Sequence, residues 1–200
     1  MIRFTNLFAA AALATLAFGA TAKADALSQG VVIVPAAVTL YDAPSAEQKP
    51  VLDHGFRRAK IVSFATKMAP GSIIVNTRDK ALYFVLKNGQ AAKYRVATAK
   101  PGFEWKGTHK VSIMAKWPNW RPPTEMRQRR PDLPAFMKGG PKNPLGARAI
   151  YLGASIYRIH GTNEPASIGK AASSGCIRML NEDVTELYQF VKKGATVTVL

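Results

Sequence analysis

From residue 72 onward, the chain consists of short hydrophobic runs separated by turn-forming residues. Two β-branched or aromatic runs, at residues 72–77 and 81–86, are followed by Asn88-Gly89, a pair that tolerates the positive φ angles of a tight hairpin turn. Because short strands with turns between them are typical of a sandwich or barrel, the pattern predicts a mainly β fold. The further predicted strands lie at residues 93–98, 110–114, 147–152, 156–160 and 195–200.

One segment near the C-terminus changes to a helical period. We expect Asn181 to cap the N-terminus of this helix and Gly194 to end it. Because the segment follows closely on Cys176, the helix is expected to brace that region. The apolar residues with the i, i+3, i+4, i+7 spacing of one buried helix face are Val184, Leu187, Tyr188 and Val191.

Residues 102–146 are rich in proline, tryptophan and arginine, which predicts one long Pro/Trp-rich loop. A loop of this length in a compact domain is usually a lid or a binding loop. Trp117 and Trp120 are therefore predicted to line a cleft for an extended peptide or a sugar. The equally weighted alternative is that their rings cap the edge of the core.

The first 24 residues have the features of a secretory signal peptide. Arg3 precedes an apolar run at residues 7–18, and Ala22-Lys23-Ala24 gives the small-x-small pattern that a signal peptidase accepts. We expect cleavage after Ala24 and a mature protein in the periplasm. The alternative is a retained membrane anchor.

The remainder of the chain divides into two parts. Residues 25–69 show no sustained periodicity and are interrupted by proline and small polar residues, so they are predicted to be an N-terminal tail or spacer. Within this part, residues 61–64 are a candidate for one additional strand. The folded domain is assigned to residues 70–200.

The chain carries a formal net charge of +16, which falls to +14 when residues 1–24 are removed. This excess of positive charge indicates an anionic partner or surface. The sequence contains no helix-turn-helix, zinc-knuckle or RNA-binding signature, so we expect no nucleic acid partner. For an exported protein, the polyanions at hand are cell-wall glycopeptide and the anionic surfaces of the envelope, which it would contact peripherally.

Cys176 is the single cysteine of the sequence. It has no internal disulfide partner, so it is either an idle buried thiol or a nucleophile. If His160 is its base and Arg178 a positive neighbour, the thiol pKa is expected to lie well below the ~8.5 of a free cysteine. Gly175 allows a substrate carbonyl to approach closely, and the N–H groups of Gly175 and Cys176 are predicted to form an oxyanion hole.

Residues 159–181 closely resemble the signature of the L,D-transpeptidase catalytic domain, also called the YkuD domain. That family has a His-Gly pair, a spacer, and then Ser/Thr-His-Gly-Cys followed by a hydrophobic residue. His160-Gly161 matches the first element, and Ser173-Ser174-Gly175-Cys176-Ile177-Arg178 matches the second, except that Ser174 stands where the family usually has histidine. Residues 143–146 and 194–197 also resemble family positions, so the resemblance covers roughly residues 70–200.

The resemblance implies a β-sandwich of mixed sheets with a few short helices and the site at its edge. It also implies a cysteine acyltransferase that attacks the third residue of a peptidoglycan tetrapeptide stem, releases D-alanine and forms a thioester. Transfer to a second stem gives a 3→3 cross-link, transfer to an envelope protein anchors that protein to the wall, and transfer to water is carboxypeptidase activity. No metal or organic cofactor is needed, because the thiol carries the covalent step.

Roles for individual residues follow from the same resemblance. Cys176 is the nucleophile, His160 is the base, and the Gly161 carbonyl orients His160. Arg178 is expected either to bind a carboxylate of the stem peptide or to brace the loop.

The two serines of the motif carry the remaining expectations. Ser173 and Ser174 are predicted to hydrogen-bond within the loop, beside the substrate. Because Ser174 departs from the family pattern, a non-catalytic wall-binding envelope protein with the same fold is the alternative to the enzyme.

Overall fold

The computed structural model describes residues 54–200, so the predicted signal peptide and most of the predicted spacer lie outside the described residues. The helices in this part of the chain are α1 (Thr124–Arg129) and α2 (Asn181–Phe190), with a 3₁₀ turn at Pro165–Ser167. Neither helix is long and apolar enough to cross a membrane. The strands are β1 (Lys60–Ser63), β2 (Ile73–Asn76), β3 (Ala81–Val85), β4 (Gln90–Arg95), β5 (Thr98–Ala99), β6 (Gly107–Lys116), β7 (Arg148–Leu152), β8 (Arg158–His160), β9 (Ala171–Ser173), β10 (Ile177–Arg178) and β11 (Thr196–Val199).

Nine strands are hydrogen-bonded in the order β1-β4-β3-β2-β11-β6-β7-β8-β10, and β5 pairs with β9. Most pairs are antiparallel, but β2–β11, β8–β10 and β5–β9 are parallel. The long strand β6 joins two halves of this array, because its first residues pair with β11 and its later residues pair with β7. Strand β6 passes from β11 to β7 between Lys110 and Val111, and its register with β7 shifts between Val111 and Met114. The predicted mainly β fold with mixed sheets is confirmed.

The core lies between the sheet faces and helix α2, which packs against β7 and β8. Most of its largest buried side chains come from the apolar runs recognised in the sequence, and Ile177 and Met179 are added from the segment after Cys176. Asn88 and Gly89 have φ angles of +59° and +66° and join β3 to β4 in the tight turn that their residue types favour. The buried residues on β7, β8, β10 and α2 include Ile150, Leu152, Ile159, Ile177, Val184 and Leu187.

The structure corrects two predictions about local structure. The N-cap of α2 is Leu180 rather than Asn181, and the helix ends at Phe190, before Gly194. The predicted long loop at residues 102–146 is not one loop, because β6 and α1 occupy parts of it. Residues 107–116 form β6 because they pair first with β11 and then with β7. These backbone hydrogen bonds outweigh the tendency of the surrounding residues to form turns.

The segment before residue 70 contacts the domain through Glu186 of α2. The Glu186 carboxylate accepts the backbone N–H groups of Arg57, Arg58 and Ala59 at 2.6, 2.9 and 3.1 Å, and the Tyr94 hydroxyl at 2.9 Å. Strand β1 then pairs antiparallel with β4 at the edge of the array. We refer to these five residues as the Glu186 cluster.

Candidate active site

The parallel pairing of β8 with β10 sets the geometry of the site. Arg178 lies directly opposite His160 in this register. Side chains two residues apart point to the same face of a strand, so Cys176, just before β10, lies opposite Arg158 on the face that also carries His160. Cys176 and His160 are therefore diagonal neighbours, and both line one cleft.

His160 is buried at the end of β8, with Nδ1 2.6 Å from the Gly161 carbonyl oxygen. A carbonyl only accepts hydrogen bonds, so Nδ1 carries the proton and Nε2 keeps a free lone pair. Burial lowers the pKa of His160 to about 3, although the Gly161 carbonyl favours the charged form. The positive charges of Arg178 and Arg158 lower this pKa further. At neutral pH the imidazole is therefore an uncharged base.

Asn181 fixes the backbone on which His160 depends. Its Oδ1 accepts the N–H groups of Ala147 and Thr162 at 2.9 and 3.2 Å, and its Nδ2 donates to the Thr162 carbonyl at 2.9 Å. A Cβ atom at Gly161 would overlap this Oδ1, which explains why a glycine follows the histidine. The side chain expected to cap α2 thus acts on the neighbouring strand ends instead.

The Cys176 thiol is partly exposed in the cleft and lies 3.8 Å from the Ile156 carbonyl oxygen, to which it donates. No hydrogen bond joins the thiol to His160. Burial raises the pKa of Cys176, and the nearby Arg158 and Arg178 offset this only in part. The expectation of a thiol pKa well below ~8.5 is therefore wrong for this geometry, which holds a neutral thiol and a neutral imidazole.

Three hydrogen bonds fix the loop that carries Cys176, which we call the Cys176 loop. The Ser173 hydroxyl donates to the Cys176 carbonyl at 2.5 Å and accepts the Gly175 N–H at 3.2 Å. The Trp105 indole N–H donates to the Gly175 carbonyl at 2.7 Å. Trp105 also stacks on Tyr157, with ring centroids 4.1 Å apart and planes at 7°. Sequence reasoning did not assign Trp105 to the site, because it lies 70 residues before Gly175.

Gly175 itself is required by this packing. Its φ of +111° is a conformation that residues with a side chain rarely adopt. A Cβ atom at this position would also lie 2.7 Å from the Tyr157 ring. Glycine therefore lets the Cys176 loop lie against the Tyr157 and Trp105 rings.

These contacts revise the predicted oxyanion hole. The Gly175 N–H is already bonded to Ser173, whereas the Cys176 N–H has no hydrogen-bond partner within residues 54–200. The Cys176 N–H shares a planar peptide unit with the Gly175 carbonyl, so the bond from Trp105 also sets its direction. The Cys176 N–H is therefore the donor that the structure leaves available.

Arg178 is paired with Glu164, with Nη1 and Oε2 2.7 Å apart. This contact ties β10 to the residue before the 3₁₀ turn, which supports the bracing role that was one of two expectations. Ser174 lines the cleft, but its hydroxyl takes part in none of the hydrogen bonds found in the described part of the chain. Ser173, in contrast, makes the loop contacts expected of it.

The cleft has a volume of about 610 Å³ and is strongly basic. Glu164 is the one acidic residue among the described residues that line it. Trp120 is buried in its wall, whereas Trp117 is 43% exposed and does not line it, so the prediction that both tryptophans face the cleft is wrong for Trp117. The six basic residues of the lining are Lys100, Arg129, Arg130, Lys142, Arg158 and Arg178.

Residues 117–147, which we call the covering segment, supply much of this lining. Trp120 and Met137 exchange backbone hydrogen bonds at 2.8 Å within it. The Arg129 guanidinium at the end of α1 lies 4.9 Å from the centroid of the Phe103 ring, and the Lys100 ammonium lies 5.0 Å from the same ring. Two positive charges thus share one aromatic ring at the cleft edge, where the covering segment touches the loop after β5.

Residues 70–199 match the family model described as YkuD, the L,D-transpeptidase catalytic domain. The putative L,D-transpeptidase YqjB of Bacillus subtilis is 37% identical over 133 residues, which cover 64% of this chain and 69% of YqjB. The probable L,D-transpeptidase ErfK/SrfK of Escherichia coli is 33% identical over 135 residues, which cover 64% of this chain. The match spans only 43% of the length of ErfK/SrfK.

Solved structures share the fold at low sequence identity. An L,D-transpeptidase from Mycobacterium smegmatis superimposes with a TM-score of 0.51 at 18% identity, covering 64% of this chain and 57% of that one. L,D-transpeptidase 3 from Mycobacterium tuberculosis gives a TM-score of 0.53 at 13% identity, with coverage of 64% and 60%. These likenesses concern the fold, whereas the family model matches more than half of the sequence. The chain therefore belongs to the L,D-transpeptidase catalytic domain family.

Proposed function

We propose that this protein is a peptidoglycan L,D-transpeptidase that forms a Cys176 thioester with a tetrapeptide stem and transfers it to an amine. The observation that carries the proposal is the pairing in one cleft of a single thiol with a histidine whose tautomer is fixed. Nδ1 of His160 donates to the Gly161 carbonyl, so Nε2 is unprotonated and can act as a base in the cleft. Family membership supports the same chemistry.

Acylation requires the thiol to leave the Ile156 carbonyl and approach His160 when a stem binds. The proton then moves from Sγ to Nε2 while sulfur attacks the carbonyl of the third stem residue. The Cys176 N–H is positioned to donate to the oxygen that becomes negative. Because burial disfavours the charged imidazolium, His160 then passes this proton to the nitrogen of the departing D-alanine. The C–N bond breaks and the thioester remains.

The second half of the reaction uses the same groups in reverse. Neutral His160 takes a proton from the acceptor amine as that amine attacks the thioester, and the departing sulfur regains a proton. An acceptor from a second stem gives a 3→3 cross-link, and an acceptor on an envelope protein gives a wall-anchored protein. Neither half of the proposed reaction needs a metal or an organic cofactor, because the thiol carries the covalent step.

The charge of the cleft supports an anionic peptide substrate. Of its six basic residues, Arg130 and Arg178 are paired with Asp132 and Glu164. The other four form no ion pair with any described residue. A stem peptide carries several carboxylates, and a basic cleft attracts them over several ångströms.

We also propose that the protein acts in the periplasm after cleavage following Ala24. The charged start, the short apolar run and Ala22-Lys23-Ala24 support this. N-terminal sequencing of protein from the envelope fraction is expected to begin at Asp25. Retention of Met1 on that protein would contradict the proposal and support a membrane anchor.

A non-catalytic wall-binding protein is the second candidate. Two observations favour it: Ser174 stands in place of the usual family histidine, and the thiol and imidazole are not hydrogen-bonded. A carboxypeptidase, which passes the acyl group to water, is the third candidate. All three predict binding of stem peptides, but only the enzymes form a covalent intermediate.

The test incubates purified protein with tetrapeptide muropeptides and follows both intact mass and products. We expect an acyl adduct on Cys176, release of D-alanine and cross-linked dimers. Cys176→Ala should abolish all three without changing the melting temperature, and Cys176→Ser should be nearly as poor because a hydroxyl is much harder to deprotonate. Tripeptide without dimer would favour the carboxypeptidase. Absence of any adduct on a thiol that iodoacetamide still alkylates would favour the wall-binding protein.

A further inference from the structure

Two arginines in residues 54–200, Arg148 and Arg158, have a buried Nε atom with no hydrogen-bond partner. Each donates from Nη1 to a backbone carbonyl, of Ala147 at 2.7 Å and of Ile156 at 3.0 Å respectively. Each guanidinium also lies over a tyrosine ring, at 5.5 and 5.1 Å from its centroid. They differ in position, because Arg158 lines the cleft and Arg148 does not. A buried donor without an acceptor costs free energy, so at Arg158 the missing acceptor is informative.

The atom placed to be that acceptor is the sulfur of Cys176. The β8–β10 register puts Cys176 directly opposite Arg158 on the cleft face. The Ile156 carbonyl accepts both the Arg158 Nη1 and the Cys176 thiol, so the guanidinium and the sulfur meet at one oxygen. The positive charge of Arg158 is the largest influence that lowers the pKa of Cys176 against the effect of burial.

We propose that Arg158 stabilises the Cys176 thiolate and is therefore a catalytic residue of this protein. The inference rests on the proposed function, in which Cys176 is the nucleophile. As the proton passes from Sγ to Nε2 of His160, the sulfur can no longer donate to the Ile156 carbonyl. The electron pair left on sulfur then faces the Arg158 guanidinium until it forms the bond to the substrate carbonyl.

The other charged groups around the sulfur are less suited to this task. His160 is neutral at rest and becomes positive only after it has taken the proton. Arg178, on β10, is paired with Glu164 at 2.7 Å, which partly neutralises its charge at the sulfur. The other titratable residues near the sulfur are Lys100 in the loop after β5 and Tyr157, which packs against Gly175. The covering segment adds Arg129, Arg130 and Lys142.

The same assignment accounts for the departure at Ser174. A histidine beside the nucleophile can carry a positive charge, whereas a serine cannot. In this chain the opposite strand supplies that charge through Arg158. Ser174 in place of the family histidine and Arg158 on β8 would then go together, because Arg158 supplies the positive charge that Ser174 cannot.

The test measures how alkylation of Cys176 by iodoacetamide, a neutral reagent, depends on pH. Intact mass reports directly on Cys176 because the chain has one cysteine. Arg158→Gln should raise the apparent thiol pKa by about one unit and slow alkylation near neutral pH about tenfold. Arg158→Lys, which keeps the charge, should recover most of the rate. Arg148→Gln is the matched control, since it removes the other arginine with an unpaired Nε, and its profile should superimpose on that of the wild type.

A second neutral variant, Arg158→Met, keeps an unbranched apolar stem and replaces Arg158→Gln if that variant does not fold. An unchanged profile in the folded neutral variant overturns the proposal. An equal shift in Arg148→Gln overturns it too, because it would reflect general loosening of the sheet. Alkylation needs neither stem nor acceptor, so loss of the proposed function would appear as absent transpeptidation with the Arg158 dependence intact.

Discussion

The Glu186 cluster and the His160–Cys176 pair of this domain are built in opposite ways. Glu186 is surrounded by donors, with three backbone N–H groups and the Tyr94 hydroxyl within 3.1 Å. Burial acts to raise its pKa, yet these donors hold the pKa of Glu186 below its usual value. His160 and Cys176 each make one side-chain hydrogen bond, to a backbone carbonyl.

In the His160–Cys176 pair, burial outweighs the effect of the surrounding groups on both pKa values. It lowers the pKa of His160 and raises that of Cys176, so both groups are neutral at rest. Among the described residues, the His160 Nε2 lone pair, the Cys176 N–H and the Arg158 Nε have no hydrogen-bond partner. The Glu186 cluster, whose carboxylate is fully occupied by donors, fixes the fold, whereas the site around Cys176 keeps donors and a lone pair free for a bound molecule.

The largest expected effect comes from His160→Gln. Removing the base Nε2 should slow acylation by tetrapeptide or by a carbapenem by ~10²-fold or more. The unfolding free energy near neutral pH should change less than it does on disruption of the Glu186 cluster. Single-turnover acylation followed by intact mass measures the rate. An unchanged rate would show that another group takes the thiol proton.

The residues that sequence reasoning identified depend on local signals. Apolar runs predict the strands, and Asn88-Gly89 predicts the turn between β3 and β4. His160 and Cys176 were identified because they lie within one motif. The residues that it misplaced or missed act across long separations. Asn181 supports strand ends 19 and 34 residues away, and Glu186 binds backbone 129 residues earlier. Neither contact leaves a periodic trace in the sequence.

Arg158 and Trp105 illustrate the same limit at the site itself. Arg158 is two residues from His160, yet only the parallel register of β8 with β10 shows that it faces the sulfur. Trp105 belongs to a segment whose composition predicted a loop, and its indole N–H reaches the Cys176 loop only because the sheet brings them together. Strand register and tertiary contact, which a single sequence does not encode locally, decide both cases.

The second prediction concerns the Glu186 cluster, in which four donors occupy one carboxylate. Glu186→Gln removes the charge that accepts four donors, and the amide keeps only one acceptor oxygen. Hydrogen bonds to a charged group contribute about 1.5–3 kcal/mol each, so a loss of ~2–3 kcal/mol in the unfolding free energy is expected after partial rescue by the amide. Urea unfolding measures it, with Tyr94→Phe as the matched control that removes one donor. Acylation of the folded fraction should be nearly unchanged; a large loss there would mean that the two clusters are coupled.

The third prediction concerns acid. The pKa of His160 is about 3 in the folded protein and near 6.5 in the unfolded chain, so between these values only the unfolded state binds the proton. The unfolding free energy should therefore fall as the pH drops below 6.5, by ~1.4 kcal/mol per pH unit and roughly 2 kcal/mol at pH 5. Urea unfolding of the wild type and His160→Gln at several pH values measures this difference. Parallel pH dependence in the two proteins would mean that His160 is not held neutral in the folded state.

The smallest expected effect, and the most specific, comes from Trp105→Phe. The ring should stay stacked on Tyr157, but the N–H that holds the Gly175 carbonyl is lost. One neutral hydrogen bond contributes about 1 kcal/mol, so the unfolding free energy should change by no more than that. The peptide unit that carries the Cys176 N–H then loses its fixed direction.

Two reagents separate orientation of this N–H from general packing. Acylation by a carbapenem builds negative charge on oxygen and should slow about tenfold, because a misdirected donor stabilises that charge less well. Alkylation by iodoacetamide forms no oxyanion and should be unchanged at every pH. Trp120→Phe is the matched control, since Trp120 also lines the cleft but its indole N–H makes no hydrogen bond to any residue in the described range. Equal slowing of acylation and alkylation in Trp105→Phe would show that Trp105 contributes only packing. Unaltered acylation would show that the Ser173 hydrogen bonds alone set the direction of the Cys176 N–H.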